Sequence, residues 1–407
     1  MAGRPDRTEE RRLLVLGAGA AQLGLLEAAH ERGLTVIAAD RDPGAPGFRF
    51  ADRRAIVSTE DEPAIQRLAE AENVDGVIAP GTDWPVGIAA RIAERLSLSH
   101  PIDGATAVLS TSKLRQRECF AAEGVPHARW RLSSDLGGHV QFPVVVKAPD
   151  RQGQRGLSLV RERSELGNAI DRALSASRSG VCIVEELIEG PEVTVQGFSV
   201  HGEFHPLLVT DRLTAEPPAF GVALAHLWPS RVEGAAEVAE HAVRALGIRD
   251  GPSYTQLRVG PDGPRVVELA ARLGGGHDAE LCLAAVGVDL NALALSAVLG
   301  DEISADALVA TPRCGGACVR FLVAPPGDLR DVRGAEAAEQ LEGVEWVRVY
   351  RSRGARIAPL RVGSDRNGAV LAVGSSAEQA LRRASRAGDS VRFEVDDQSV
   401  HAAANTA

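Results

Sequence analysis

Apolar positions along the chain follow two successive rhythms. Up to about residue 100, short apolar runs alternate with segments of helical period. Residues 12–17 (Arg-Leu-Leu-Val-Leu-Gly) predict a strand, 20–32 a helix, 35–40 a strand and 55–58 another; a helix at 62–72, a strand at 76–81 and a helix through Arg91 to Leu96 follow. Strand and helix alternating in this way make an open parallel sheet. A helix predicted over 106–122 ends before Val125-Pro126, since proline cannot continue it. Antiparallel patterns then take over: strands at 142–148, 157–161, 181–186 and 193–200, a helix at 164–175, a turn at His201-Gly202-Glu203 and a paired strand at 204–209. Residues 210–225 are polar, carry Pro217-Pro218 and read as a loop able to cover a site. A helix at 234–246, strands at 254–259 and 265–270, and a glycine loop entering a helix at 279–286 complete the central part. From 315 onward, strands at 317–323, 344–350, 369–373 and 391–395 surround a helix at 377–387. The fold class expected is α/β and α+β, with a parallel sheet domain over 1–105, a central domain over 106–312 and a small C-terminal α+β domain over 313–407.

Bulk composition narrows the function classes. A 407-residue chain with 44% hydrophobic and 25% charged residues suits a globular protein of two or three domains. Its net charge of -10 argues against a general nucleic-acid surface, which needs a basic face. Five scattered cysteines argue against a disulfide framework and for a reducing compartment. Cys314 and Cys318 flank Gly-Gly-Ala, but lack the second pair that a zinc site needs. The charged start at 1–12 carries no apolar run of a signal peptide, no apolar stretch reaches membrane-spanning length, and 401–407 should fray; a cytoplasmic protein without membrane partners is expected.

One count changes the picture more than the rest. Of 45 lysines plus arginines only Lys113 and Lys147 are lysines, which points to two places where a compact ammonium is needed and a planar fork does not fit. Lys147 ends a strand and precedes a loop containing Gly153 and Gly156. A cation delivered to a loop of free backbone amides makes a phosphate site, and a core strand followed by an ordinary turn is the plain alternative. Gly17-Ala18-Gly19 with Asp40 half-matches a dinucleotide fingerprint, with Gln22 where the third glycine belongs.

In order, the chain offers a helix lysine, a strand lysine with its glycine loop, Glu185-Glu186 with Gly190-Pro191-Glu192, and a hairpin ending Val267-Glu268-x-x-x-Arg272-x-Gly274-Gly275-Gly276. That order, over about 13–395, resembles the ATP-grasp superfamily, and most of all its carboxylate-amine ligases, which include the L-amino acid ligases; carboxyaminoimidazole ribonucleotide synthetase is a more distant relative. The resemblance implies a central ATP-grasp domain in which Lys113 and Lys147, with the loop amides of Gly153 and Gly156, hold the ATP phosphates. It places Glu185 and Glu186 at the adenine and Glu192 at the ribose hydroxyls, with water-facing strand-end carboxylates as the alternative. Magnesium would be held by Glu268 and, with a neutral oxygen in place of a carboxylate, by Gln256; Ala270 stands where an asparagine is usual. Arg272 would contact the γ-phosphate and the acyl-phosphate, helped by the amides of Gly275 and Gly276. His277 would touch substrate or belong to a helix cap, and capping is the reading for Asp278. His226-Leu-Trp-Pro-Ser230 resembles a family loop whose histidine orients the carboxylate or the amine, against a structural role. Arg320 would bind a substrate carboxylate or face water.

The function implied is amide or peptide bond formation between a small carboxylate, such as an amino acid, and an amine. ATP and Mg2+ serve it, an acyl-phosphate lies between, residues 210–225 and the Gly153 loop act as lids, and the enzyme is a homodimer. A purine-type ribonucleotide ligase is the alternative. An NAD-dependent oxidoreductase built on Gly17, Gly19 and Asp40, and a silent nucleotide-binding protein suggested by Gln256 and Ala270, are the rivals.

Overall fold

In the computed structural model, which describes residues 11–137 and 140–396, the first apolar runs are buried on both faces. Strand β1 (Arg12–Leu16) has Leu13 to Leu16 fully enclosed and lies between β2 (Thr35–Asp40) and β4 (Gly76–Ile78), with β3 (Arg53–Ile56) outside β2. All pairings are parallel. Helices α1 (Leu23–Glu31), α2 (Glu62–Glu72) and α3 (Trp84–Arg95) cover the sheet, as continuous apolar strands demand. The expected tail at 1–10 and the fraying end at 401–407 fall outside the described residues.

The single helix expected at 106–122 is two, α4 (Gly104–Ser110) and α5 (Lys113–Glu123). Thr111 Oγ1 turns back to Ala107 O, and the Ser112 side chain caps α5 by accepting from Arg115 N. The break makes Lys113 the first residue of α5, buried, with its own amide on Pro149 O at 2.8 Å.

A small antiparallel sheet follows, in the order β5 (Trp130–Leu132), β8 (Ile183–Glu186), β6 (Val144–Lys147), β7 (Leu157–Val160), with α6 (Arg163–Ala176) on one face. The period-two alternation of β6 decides its chemistry. Val144 and Val146 pack with Val160, Leu166 and Ala173 under α6, while Lys147 faces the other way.

Strands β9 (Glu192–Val200), β10 (Glu203–Thr214), β11 (Ala223–Trp228), β12 (Gly251–Gly260) and β13 (Gly263–Ala270) form a second sheet beside α7 (Ala235–Ala245). Here the loop expected over 210–225 is corrected. Its flanks are paired strands, Asp211 opposite Leu227 and Arg212 opposite His226, and only a tip at 215–222 is irregular. The segment reads as polar because Thr210 and Arg212 are buried on the site-facing side. Helices α8 (Asp278–Val286) and α9 (Leu290–Leu299) wedge between this sheet and the N-terminal domain, their leucines joining α1 in one core. Among the described residues no single helix is long and apolar enough to cross a membrane.

The C-terminal part shares its main sheet with the centre. Strands β14 (Gly316–Leu322), β16 (Val344–Val349) and β18 (Gly368–Gly374) extend the second sheet to eight strands, in the order β13-β12-β9-β10-β11-β14-β18-β16. A three-stranded sheet of β15 (Gly327–Arg333), β17 (Arg356–Ile357) and β19 (Arg392–Asp396) stands apart, and α10 (Ala335–Glu339) and α11 (Ala377–Ser390) pack nearby.

Candidate functional site

Between the small sheet and β9–β13 lies a cleft, and both lysines of the chain line it, together with the glycine loop of 151–155, Gln256 and Glu268. Lys147 Nζ is 2.6 Å from Glu185 Oε2, and Arg117 Nε donates to Glu185 Oε1 at 2.8 Å; all three side chains are almost wholly enclosed. Burial alone would push the Glu185 carboxyl up, but the charges of Arg117 and Lys147 reverse this and hold it at about 2. Burial draws the Lys147 ammonium below its ordinary value, against the pull of Glu185. This corrects the expectation for Glu185: both its oxygens are committed to cations, so the side chain is not free to read a base. Glu186 turns outward, accepting from Arg129 N at 3.0 Å and from Arg265 at 3.1 Å, and forms part of the rim.

Glu192 is buried and lines the cleft; its Oε1 accepts from Arg212 and from the Gln256 amide, while its Oε2 has only Arg258 Nε at 3.6 Å and keeps hydrogen-bonding capacity. Gln256 and Glu268 are direct cross-strand neighbours. Glu268 Oε1 accepts from Lys113 Nζ at 2.6 Å, and the same ammonium reaches Arg151 O at 2.8 Å. One carboxylate beside one amide fits a magnesium ion that brings most of its ligands as phosphate oxygens and water; it does not make a cage of protein oxygens. No cluster of three or more His, Cys, Asp or Glu able to hold a metal occurs among the described residues.

Arg272 lies outside the lining of the cleft. Its Nε and one Nη meet Asp83 Oδ1 at 2.8 and 2.6 Å, its other Nη meets Leu273 O at 2.8 Å, and the guanidinium stands 5.7 Å from the Tyr254 ring centre. The three cations expected around one ligand are therefore two in the cleft and one beside it. Asp83 joins the two spaces, because its amide donates to Gln152 of the glycine loop. Sequence reasoning missed Asp83, although its place after β4 is the usual ligand side of an open parallel sheet.

At the glycine run, Gly276 N donates to Asp278 Oδ2 at 3.0 Å and is spent, while a Cβ on Gly275 would meet Gly81 O at 3.0 Å, so the two domains approach closely here. Asp278 is not the cap: α8 begins with it, His277 takes the capping position in the left-handed region (φ 58°), and the Asp278 carboxylate also accepts from Gln196 at 3.0 Å. His226 is buried, its Nδ1 lacks a hydrogen bond, and burial lowers its pKa to about 4, which keeps the imidazole neutral near pH 7. His277 is not at an open rim. Its Nε2 is 2.6 Å from Tyr350 Oη, its Nδ1 is 2.9 Å from Glu280, and Arg348 ties Glu280 to Glu27 of α1.

Arg320 is corrected too, since it pairs with Asp389 at 3.1 Å and Ser385 O at 2.9 Å on α11, away from the cleft. The arginine found near the site instead is Arg366, which nothing in the local pattern marks. Its guanidinium lies 3.6 Å from the Phe321 ring centre and its Nε bonds Gly363 O at 2.8 Å; no carboxylate pairs with it among the described residues. Burial lowers its pKa, and Tyr350, Arg212, Asp278 and Tyr254 are its electrostatic neighbours.

The dinucleotide loop is already filled. Asp40 accepts from Ala18 N at 2.8 Å, and the buried Gln22 side chain, bonded to Pro80 O at 2.6 Å, occupies the space above Gly17 and Gly19.

Comparison with known proteins agrees with this geometry. Residues 140–280 match the ATP-grasp domain model, and residues 320–396 match the model of L-amino acid ligase C-terminal domain 2. The chain is 27% identical over 372 residues to the uncharacterised protein y4rH of Sinorhizobium fredii, covering 84% of this chain and 75% of that one. It is 26% identical to formate-dependent phosphoribosylglycinamide formyltransferase of Burkholderia lata, over 96% of this chain and 97% of that protein, while matches to other proteins of that name span 49% of their length. The crystal structure of L-amino acid ligase from Bacillus licheniformis superposes with a TM-score of 0.81 at 22% identity, covering 96% of this chain and 100% of that one. The chain carries an ATP-grasp domain over residues 140–280, followed over 320–396 by a domain of the L-amino acid ligase C-terminal type.

Proposed function

We propose that the chain joins a small carboxylate to an amine at the expense of ATP. The observation that carries this reading is the cleft that both lysines share with the glycine loop and Glu268, next to a guanidinium already holding a carboxylate, that of Asp83. Lys113, Lys147 and the loop amides neutralise the phosphates, and closure keeps water from the activated carboxylate. Magnesium, held by Glu268 with Gln256, would add positive charge at the phosphate oxygens. Arg272 presents its fork to the developing oxyanion. His226, neutral and buried with Nδ1 3.6 Å from Asp278 Oδ1, would in this reading orient the substrate from beside the glycine run. The tip at 215–222, whose Phe220 and Gly221 border the cleft, takes the lid role first expected of 210–225.

Two substrate classes are supported by different observations. The C-terminal family match favours an amino acid. The curated relatives whose names state an activity favour a phosphoribosyl substrate, and lean more to the ribonucleotide alternative than to the amino acid. Arg366 suits either, because a half-buried cation without an ion-pair partner among the described residues gains from a second anionic group, an amine partner's carboxylate or a phosphate. Phosphate release scored over amino acids and over ribonucleotide amines with formate, with product mass measured, separates them; no release with either set would reject the ligase reading. Arg366→Ala should raise the KM of the anion-bearing substrate about 10- to 100-fold, the worth of one charge-assisted hydrogen bond, with the KM for ATP unchanged. An equal rise in both would point to a purely structural Arg366. Mg-ATP should raise the melting temperature where NAD and NADP do not.

A further inference from the structure

We infer that this chain takes up one divalent ion, only together with the nucleotide, and that Lys113 stands at the ion's carboxylate until then. The inference rests on the reading of the cleft as an ATP site.

The supporting observation is where each carboxylate of the cleft is already engaged. Both oxygens of Glu185 are on Lys147 and Arg117. Glu192 is held by Arg212, Arg258 and the Gln256 amide, and Glu186 faces Arg129 and Arg265. Glu268 alone has a single side-chain partner, and that partner is an ammonium, Lys113 Nζ at 2.6 Å. A hard divalent cation needs about six oxygens and is drawn by the number of formal charges among them. One carboxylate already neutralised by a lysine does not attract it. When phosphate oxygens arrive, the Lys113 ammonium gains an anion of higher charge, and Glu268 is released to the ion that travels with the phosphates.

Gln256 sets the count at one. It occupies the cross-strand position beside Glu268, where a second carboxylate would complete a cation site, but its amide donates to Glu192. Ala270, two residues beyond Glu268, offers no side-chain oxygen. Arg258, which also lines the cleft, adds fixed positive charge to it, with one Nη on Ile188 O at 3.0 Å and Nε 3.6 Å from Glu192.

Mn2+ as probe, counted by electron paramagnetic resonance after equilibrium dialysis, tests this without turnover. Wild-type chain free of nucleotide should hold no Mn2+ at about 1 mM, and with a saturating β,γ-imido ATP analogue the bound ratio of Mn2+ to nucleotide should be one to one. Gln256→Glu should create nucleotide-free Mn2+ binding at least about tenfold tighter than wild type. Sub-millimolar Mn2+ binding by the nucleotide-free wild type, or two ions per bound analogue, would overturn the inference while leaving the ATP site intact. Failure of the analogue to bind at all would instead remove the proposed function, and this inference with it. Should circular dichroism show the variant misfolded, the two wild-type measurements still decide.

Discussion

Arg272→Ala should cut substrate-dependent ADP release about 10³-fold and leave the affinity for ATP within about threefold, because removing one group that stabilises developing negative charge usually costs 10² to 10³ or more in kcat. The asymmetry follows from position: the guanidinium borders the cleft of the two lysines without lining it, and its fork is turned to a carboxylate of the N-terminal domain. Arg272→Lys keeps the charge and loses the fork, so roughly a tenth of the alanine defect should be recovered. Asp83→Asn removes the charge that holds the fork in the unliganded chain. If Asp83 positions Arg272, its kcat should fall while the KM for ATP stays put. Steady-state kinetics with ATP affinity measured separately by fluorescence checks all three, and an Arg272→Ala enzyme keeping more than a tenth of wild-type turnover would remove Arg272 from the chemistry.

The parts legible in the sequence were those where one residue type or period carries the signal. The parallel sheet of 12–78 announces itself through strands apolar on both faces, and the two lysines through their scarcity. Partners were not legible. Whether Glu185 is an open carboxylate or an ion pair is decided by Arg117, 68 residues away on another element. Helix α9 is apolar all round, so it has no helical stripe to detect. Arg320 shows how one residue of parity decides a role. On β14 it shares the α11-facing side with Cys318 and Leu322, whereas Phe321 faces the other side and stacks with Arg366. Nothing local in 316–322 tells which face carries the site.

The triad Arg117–Glu185–Lys147 should separate stability from nucleotide binding. Glu185→Gln leaves two enclosed cations facing each other without their anion, and breaking a buried pair in this way costs about 3–5 kcal/mol. Lys147→Met leaves the Arg117–Glu185 pair intact, so it should destabilise less, yet it should abolish the rise in melting temperature that Mg-ATP gives the wild type. The pH dependence distinguishes the charge effect from simple misfit. Glu185 titrates at about 2 in the folded chain against an ordinary 4.5, so the folded state favours its ionised form. That contribution, on the order of 3 kcal/mol, is complete above pH 4.5 and is lost as the pH falls from there toward 2. The gap in stability between wild type and Glu185→Gln, followed by urea unfolding, should therefore be constant from pH 7 to 5 and close steadily below 4.5. A gap at pH 3 as large as at pH 7 would mean that packing, and not charge, holds Glu185 in place, and Lys147 would then lose its electrostatic account as well.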